Sequence, residues 1–334
     1  MTTPMKWALI GASNVAQEWM IDAIRSQKES IICTVFGQNA DRGKTYAQAN
    51  GIPCNTTVLE DILQDPEIQA VYISSRNEFH KDQALAAARA GKHVLCEKPL
   101  ALSLNDAEDI VRVCHEMGVV LGTNHHLRCS AVHIALREQL RTGTIGKLNA
   151  ARVFHANYLA KAVDGWRLND AGGGLILDST IHDIDTLRFL LGADPLSVFA
   201  MTQSGRKSVS GIEDGLMAVM RFPGDVLVQI HGSYAVPYAP GGVELYGDEG
   251  ALIARDCMSQ KPVGSLSLRN AEGEHPMSLT HHNLYRYSVA RFLAAIDGKG
   301  TPAATGEDGV ASLRIALALK ESARTGREIK VIPS

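Results

Sequence analysis

Six cysteines in 334 residues include no Cys-x-x-Cys pair and no repeated spacing. Cys33, Cys54, Cys96, Cys114, Cys129 and Cys257 therefore outline neither a disulfide framework nor a zinc site; they read as small side chains in a reducing compartment. Aromatic residues are scarce at 5%, and no basic run is interleaved with them. That leaves no stacking platform for nucleic acid. Charge of one sign is also lacking: a formal net charge of −3 gives no pull towards nucleic acid or an anionic membrane. Long apolar runs are absent, since Ala70–Ile73 and Val119–Leu121 are strand-sized and too short to span a bilayer. Trp7–Ile10 follows Lys6 but runs straight into a glycine turn, so it reads as a first strand and not as a signal peptide. The expectation is a cytoplasmic chain without membrane or nucleic-acid partners.

What is present is ordinary globular composition, 45% hydrophobic and 21% charged, at a length that favours two domains. The first third alternates short apolar strands (7–10, 31–36, 70–74, 93–96, 119–122) with helices (15–25, 42–49, 82–90, 105–117). Such strands between helices imply a parallel sheet buried on both faces. After about Leu127 a helix over 131–142 leads into longer alternating strands at 148–155, 197–203, 215–222, 226–234, 242–247 and 251–255. Apolar–polar alternation and turns such as Pro223-Gly224-Asp225 suggest an antiparallel sheet with one face covered. One helix, 175–191, interrupts that run, and helices over 284–296 and 308–324 close it. The fold class is α/β: a doubly wound Rossmann domain over 1–125, then an α/β domain over 126–334 with a large, open-faced, mostly antiparallel sheet. A C-terminal helix is free to pack back on the first domain.

Gly11-Ala12-Ser13-Asn14-Val15-Ala16 stands where a dinucleotide fingerprint belongs, after the first strand and at the start of the first helix. The first glycine makes the tight turn, and small residues let a pyrophosphate approach backbone N–H groups. Ser13 and Ala16 replace the second and third glycines, so the match is degraded, and the β-α-β order around it carries the reading. An NAD site usually has an acidic residue at the end of the second strand for the ribose 2′-hydroxyl. Here Phe36-Gly37-Gln38-Asn39-Ala40 intervenes; Gly37 leaves room and Arg42 can pair with a 2′-phosphate. Asp41 falls at a helix start, where capping explains it, and Arg42 is also explicable as a solvated helix residue. The balance favours NADP over NAD.

Two further features carry chemistry. Glu97-Lys98-Pro99 follows the strand 93–96, at the carboxyl edge that faces the ligand crevice of such a sheet. A lysine there can protonate or polarise a carbonyl oxygen as hydride arrives, although a surface Glu–Lys pair would look the same. In the helix 175–191, Asp178, His182 and Asp185 fall at i, i+4 and i+7, beside an apolar side of Leu177, Ile181, Ile184, Leu187 and Leu191. The stripe fits a cleft lining, where an Asp orients a His, and equally a buried structural histidine. The histidines at 125–126, 155, 182 and 281–282 show no short motif with three ligands at metal spacing, so no metal is expected.

The Gly11–Ala16 turn, the block Gly91-Lys92-His93-Val94-Leu95-Cys96-Glu97-Lys98-Pro99-Leu100 and the Asp178-x-x-x-His182 helix resemble the Gfo/Idh/MocA oxidoreductase family, over essentially the whole chain. The segments 122–128, 151–156, 165–168 and 305–309 narrow the likeness to members that reduce a ketone of a small sugar derivative with NADPH. That resemblance implies Lys98 as the catalytic lysine beside the nicotinamide ribose, Glu97 near the ribose, and a Lys98–Pro99 bond that can be cis. It implies Asp178 and His182 over the substrate, with His182 or Lys98 as proton donor. Ser13, Asn14 and Val15 would follow the phosphates; Ser74, Asn77 and His80 would border the nicotinamide half. Trp166 and Arg167 would help enclose the sugar at the cofactor, and His125 would join the substrate residues. Two departures stand out: Arg76 is bulky and charged where the family often has Thr-Pro, and Gly37 replaces a hydroxyl-bearing residue at the ribose-phosphate subsite.

The resulting expectation is an enzyme in which NADPH reduces a ketone carbon while Lys98 or His182 supplies the proton. The helix 175–191 is expected to dock on the first domain. The rival enzyme is an NAD-linked polyol or inositol dehydrogenase of the same family. The rival of another class is a non-catalytic dinucleotide-binding sensor, which the presence of both Lys98 and His182 disfavours. A monomer and a homo-oligomer through the open sheet face are equally compatible with the sequence.

Overall fold

Short apolar runs make the first sheet because both faces are covered and nothing in them needs to alternate. The computed structural model describes residues 4–160, 165–169, 172–209 and 211–332. Strands β1 (Met5–Ile10), β2 (Ser30–Phe36), β3 (Cys54–Thr56), β4 (Ala70–Ile73), β5 (His93–Cys96) and β6 (Leu121–Thr123) pair in the order β3-β2-β1-β4-β5-β6, all parallel. Strand order reverses between β1 and β4, so the loops leaving these two strands diverge and open a crevice at the sheet's carboxyl edge. Trp7, Leu9, Ile10, Tyr72 and Ile73 are fully buried there; truncating one of the aliphatics to Ala is expected to cost roughly 2–5 kcal/mol. The strand β3 is too short and polar for periodicity to reveal.

Local chemistry sets the helix starts. The helix Ala40–Ala49 is capped by Asn39, whose side chain accepts the Arg42 N–H at 2.9 Å. The cap is therefore Asn39 and not Asp41, which lies in the first turn. Ser103 does the same for Leu104–Glu116 by accepting the Asp106 N–H. This first compact unit comprises Met1–His126 together with Asn283–Val310. Helix Leu284–Ile296 returns to it for a packing reason: Phe292 lies against Trp7, and Tyr285 stacks between Trp19 and His126. Ala304 and Thr305 then extend the sheet edge, accepting from the Thr123 N–H and hydroxyl.

The second unit comprises Leu127–His282 and Ala311–Ser334. Its strands are β7 (Leu148–Ala156), β8 (Ser197–Ser204), β9 (Glu213–Phe222), β10 (Val226–Ser233), β11 (Gly242–Gly247), β12 (Ala251–Arg255), β13 (Ser265–Asn270), β14 (Gly273–Met277) and β15 (Ile329–Lys330). They run β14-β13-β12-β11-β7-β10-β9-β8-β15, antiparallel except for the β7–β10 pair. Alternation holds along β9 and β10, but several outward positions are apolar: Phe199, Met201, Met217, Val219 and Leu227 are exposed. The inner face takes the helix that bears Asp178 and His182. Gly232 on β10 allows this contact, since a Cβ there would stand 3.1 Å from Thr180 Oγ1 and 3.4 Å from Leu175. Among the described residues no helix is long and apolar enough to cross a membrane.

Candidate functional site

In the first unit the candidate residues gather at the strand-order reversal. Gly11 leaves β1 with φ +116°, a conformation other residues rarely adopt, and a Cβ there would sit 2.7 Å from Ser75 N. Only glycine lets the turn pass this close to the loop after β4. Ser13 joins the two loops: its hydroxyl donates to Ser74 Oγ at 2.7 Å and accepts the Ala16 N–H at 3.1 Å. Helix Ala40–Ala49 supports the same turn from outside at two successive carbonyls. Arg42 Nη2 donates to Ala12 O at 3.2 Å, and the Tyr46 hydroxyl donates to Ser13 O at 2.9 Å. Burial pushes the Tyr46 hydroxyl up to about 12, so it remains a donor. Gly37 ends β2 with open space, its nearest neighbour to an added Cβ being Ala12 at 3.9 Å. Asn14 is exposed and Val15 half-buried on this turn. The donor set of hydroxyl, guanidinium and helix N-terminus, with no carboxylate at Gly37–Ala40, fits a dinucleotide.

The second feature follows β5. Glu97 is buried, and its Oε1 accepts from the Tyr72 hydroxyl and from Asn124 Nδ2, both at 2.6 Å. Burial pushes its carboxyl above the usual range, against the pull of those bonds and of Lys98. Asn124 is held in turn by the Ser288 hydroxyl at 3.3 Å. Glu97 thus fastens the loop. Lys98 is half-buried, and the Lys98–Pro99 bond is cis. Ser74, Asn77 and His125 are buried, His125 at 2% exposure, which leaves it little surface for a substrate. Arg76, the bulky departure, turns to Glu78 at 2.8 Å on the surface.

The second unit carries a polar cluster of its own. Helix Ile181–Leu191 is preceded by a π turn, Ile176–Thr180, in which the Ile181 N–H reaches back five residues to Ile176 O. The extra residue shifts Asp178 against the regular helix that carries His182 and Asp185, and Asp178 and Asp185 go to different partners. Asp178 Oδ2 accepts from the Tyr234 hydroxyl at 2.7 Å and from Arg167 Nε at 2.9 Å. Burial and this carboxylate hold the Tyr234 hydroxyl well above its ordinary pKa, so it too remains a donor. Arg167 also lies over the Trp166 ring. Asp185 instead makes a buried bidentate pair with Arg128, both contacts at 2.7 Å, and accepts from the Ser312 hydroxyl. Asp183 is buried against His155 at 2.8 Å. His182 is itself buried at 8% exposure. Residues 181–187 are all buried, which makes this a central helix and not an amphipathic one.

Within the first unit the structure thus brings together Gly11, Ser13, Ser74 and Arg42, and within the second Arg167 and Asp178. Sequence reading missed Tyr46, Tyr72, Asn124 and Tyr234. Asn124 lies in the segment 122–128 that carried the narrower likeness, whereas no local pattern marks Tyr234. Among the described residues no group of three or more His, Cys, Asp or Glu is placed to hold a metal ion.

Residues 5–125 match the oxidoreductase family GFO_IDH_MocA, NAD-binding Rossmann fold, and residues 133–253 match the GFO/IDH/MocA C-terminal domain. The chain is 49% identical to a 1,5-anhydro-D-fructose reductase of Ensifer adhaerens over 328 residues, 98% of each chain. It is 27% identical to a myo-inositol 2-dehydrogenase of Thermotoga maritima, covering 91% of this chain and 92% of that one. Among solved structures, aldose-aldose oxidoreductase from Caulobacter crescentus complexed with glycerol superposes with a TM-score of 0.90 at 24% identity, covering 98% and 99% of the two chains. Levoglucosan dehydrogenase in complex with NADH and levoglucosan gives 0.87 at 20%, covering 98% and 100%. At those identities the two structures establish the fold alone.

Proposed function

The chain belongs to the Gfo/Idh/MocA oxidoreductase family, and we propose that within it the protein is an NADPH-dependent reductase of 1,5-anhydro-D-fructose, forming 1,5-anhydro-D-mannitol. The observation that carries the choice of coenzyme is Arg42: its guanidinium lies on the Ala12 carbonyl of the glycine turn, and no carboxylate stands at Gly37–Ala40. A guanidinium there suits a 2′-phosphate. The substrate rests on the 49% identity with the Ensifer adhaerens reductase.

When bound, the reduced nicotinamide supplies hydride to the ketone carbon. Gly11, Ser13, Asn14, Val15 and Ser74 would hold the dinucleotide, with Arg42 as the residue that would pair with a 2′-phosphate. Lys98 Nζ holds the proton for the developing alkoxide, and His182 is the second group able to hold one. Asp178, kept in place by Tyr234 and Arg167, accepts from a sugar hydroxyl, and Trp166 covers the sugar. Gly37 offers no hydroxyl to the phosphate subsite, so the preference for NADPH rests on Arg42. The test is the initial rate of reduced-coenzyme loss on adding 1,5-anhydro-D-fructose, with NADPH and NADH in parallel. Turnover preferring NADPH is expected. Turnover with inositol or another polyol and NAD, and none with this ketone, would favour a polyol dehydrogenase instead.

A further inference from the structure

We propose that His80 is a positioning residue for Lys98, a clamp between the loops that leave β4 and β5, and not a ligand of the dinucleotide. The inference rests on the reading of Lys98 as proton holder. His80 begins the helix His80–Arg89 and is 0% exposed, so it presents no surface to a bound molecule. Its Nδ1 lies 2.8 Å from Pro99 O and its Nε2 3.2 Å from Ser75 O. Carbonyl oxygens only accept, so the shorter contact puts the ring hydrogen on Nδ1. Two carbonyls would suit an imidazolium, but burial, aided by the charge of Lys98, pushes the ring below the ordinary histidine value. The neutral ring has a single N–H, and the shorter contact assigns it to Pro99 O.

Lys98 is bracketed as a result. On one side Glu97 is fixed by Tyr72 and Asn124, and its N–H donates to Ile73 O at 2.9 Å. On the other, the carbonyl of Pro99 is fixed by His80. Between two fastened neighbours only the lysine side chain reaches the half-exposed edge. Because displacing a reacting group by about 1 Å can lower a rate on the order of 100-fold, this bracket has kinetic weight.

Two variants separate the roles. His80→Phe keeps the ring volume and removes the donor; His80→Asn keeps an N–H where Nδ1 stands. The Phe variant is expected to lower kcat by at least about tenfold with the NADPH Kd within about threefold, and the Asn variant to recover most of the loss. Hydrogen exchange at Leu100 and Ala101, measured on the NADPH-bound protein, should accelerate in Phe and not in Asn. Wild-type kcat and exchange in the Phe variant would overturn the clamp, as would a weakened NADPH Kd that accounts for the whole loss. If the Phe variant does not fold, His80→Gln replaces it, since its amide reaches towards Ser75 and not Pro99. Lys98→Met run alongside keeps the two readings apart. Retained turnover in that variant defeats the role of Lys98, while the exchange measurement, which needs no turnover, still decides the clamp.

Discussion

The two units hold their chemistry-bearing side chains in opposite ways. In the first, Ser13, Ser74 and Lys98 stand on loops at the carboxyl edge of a parallel sheet, and the anchors of those loops end mostly on backbone atoms. Ser74 N–H donates to Ile10 O, Glu97 N–H to Ile73 O, Tyr46 to Ser13 O and His80 to Pro99 O. In the second, Asp178 and His182 ride a helix fastened by side-chain pairs: Asp178 with Tyr234 and Arg167, Asp183 with His155, Asp185 with Arg128. An anchor between two backbone atoms, such as Ser74 N–H to Ile10 O, survives the loss of most single side chains, whereas those from Tyr46 and His80 go with the side chain. A buried charged pair does not survive such a loss, because losing one partner strands the other without water. Stability should therefore be most fragile in the second unit, while in the first the largest effect of a single substitution should fall on the chemistry, through Lys98.

The largest expected effect is chemical. Lys98→Met should lower kcat by roughly 10²–10⁴-fold while leaving NADPH affinity nearly unchanged, as steady-state rates and a coenzyme titration would show. Near-normal turnover would remove Lys98 from the reaction. The stability side follows. Asp185→Asn should destabilise the second unit by about 3–5 kcal/mol in urea unfolding, against at most about 1 kcal/mol for Ser74→Ala. Equal losses would break the contrast between the two kinds of anchor.

Acid should expose the second unit next. His133 is fully buried, and burial pushes its pKa down to about 4 from 6.5. It is neutral when folded, whereas the unfolded chain takes up its proton near the higher value. Its stability is complete above pH 6.5 and declines as pH falls towards 4, by on the order of 3 kcal/mol in all. Replacing it with Phe should flatten that part of the stability profile, and an unchanged slope would assign the acid sensitivity elsewhere. The smallest effect concerns the coenzyme. Arg42→Ala should weaken NADPH by about 10–100-fold and NADH hardly at all, and equal losses would mean that Arg42 reads no phosphate.

How much of this was legible depends on distance along the chain. The glycine turn and Glu97-Lys98-Pro99 were readable because each follows a strand directly, and local order places both at the sheet edge. The cap at Asn39 was misassigned to Asp41 by two positions, which shifts the helix start without moving Arg42 off its face. In the second unit the partners are remote: Tyr234 lies 56 residues beyond Asp178, and Arg128 lies 57 before Asp185. No periodicity connects such pairs. The π turn at Ile176–Thr180 also sets Asp178 outside the regular helix that carries His182 and Asp185, so the three do not share one uninterrupted α-helical spacing. Hairpin β13–β14 was missed because every β14 residue up to Pro276 is exposed and polarity gives no alternation to read. The return of Leu284–Ile296 to the first unit depends on Trp7 and Trp19, more than 260 residues earlier, and so was available only as an option.

Hydride delivery from NADPH to a sugar ketone can be followed by isotope transfer. NADPH deuterated at the transferable nicotinamide position is given with 1,5-anhydro-D-fructose, and the product is identified by NMR. The expected product is 1,5-anhydro-D-mannitol carrying deuterium at C2. An unlabelled product, the C2 epimer, or label transferred as readily from deuterated NADH would contradict the proposed reaction.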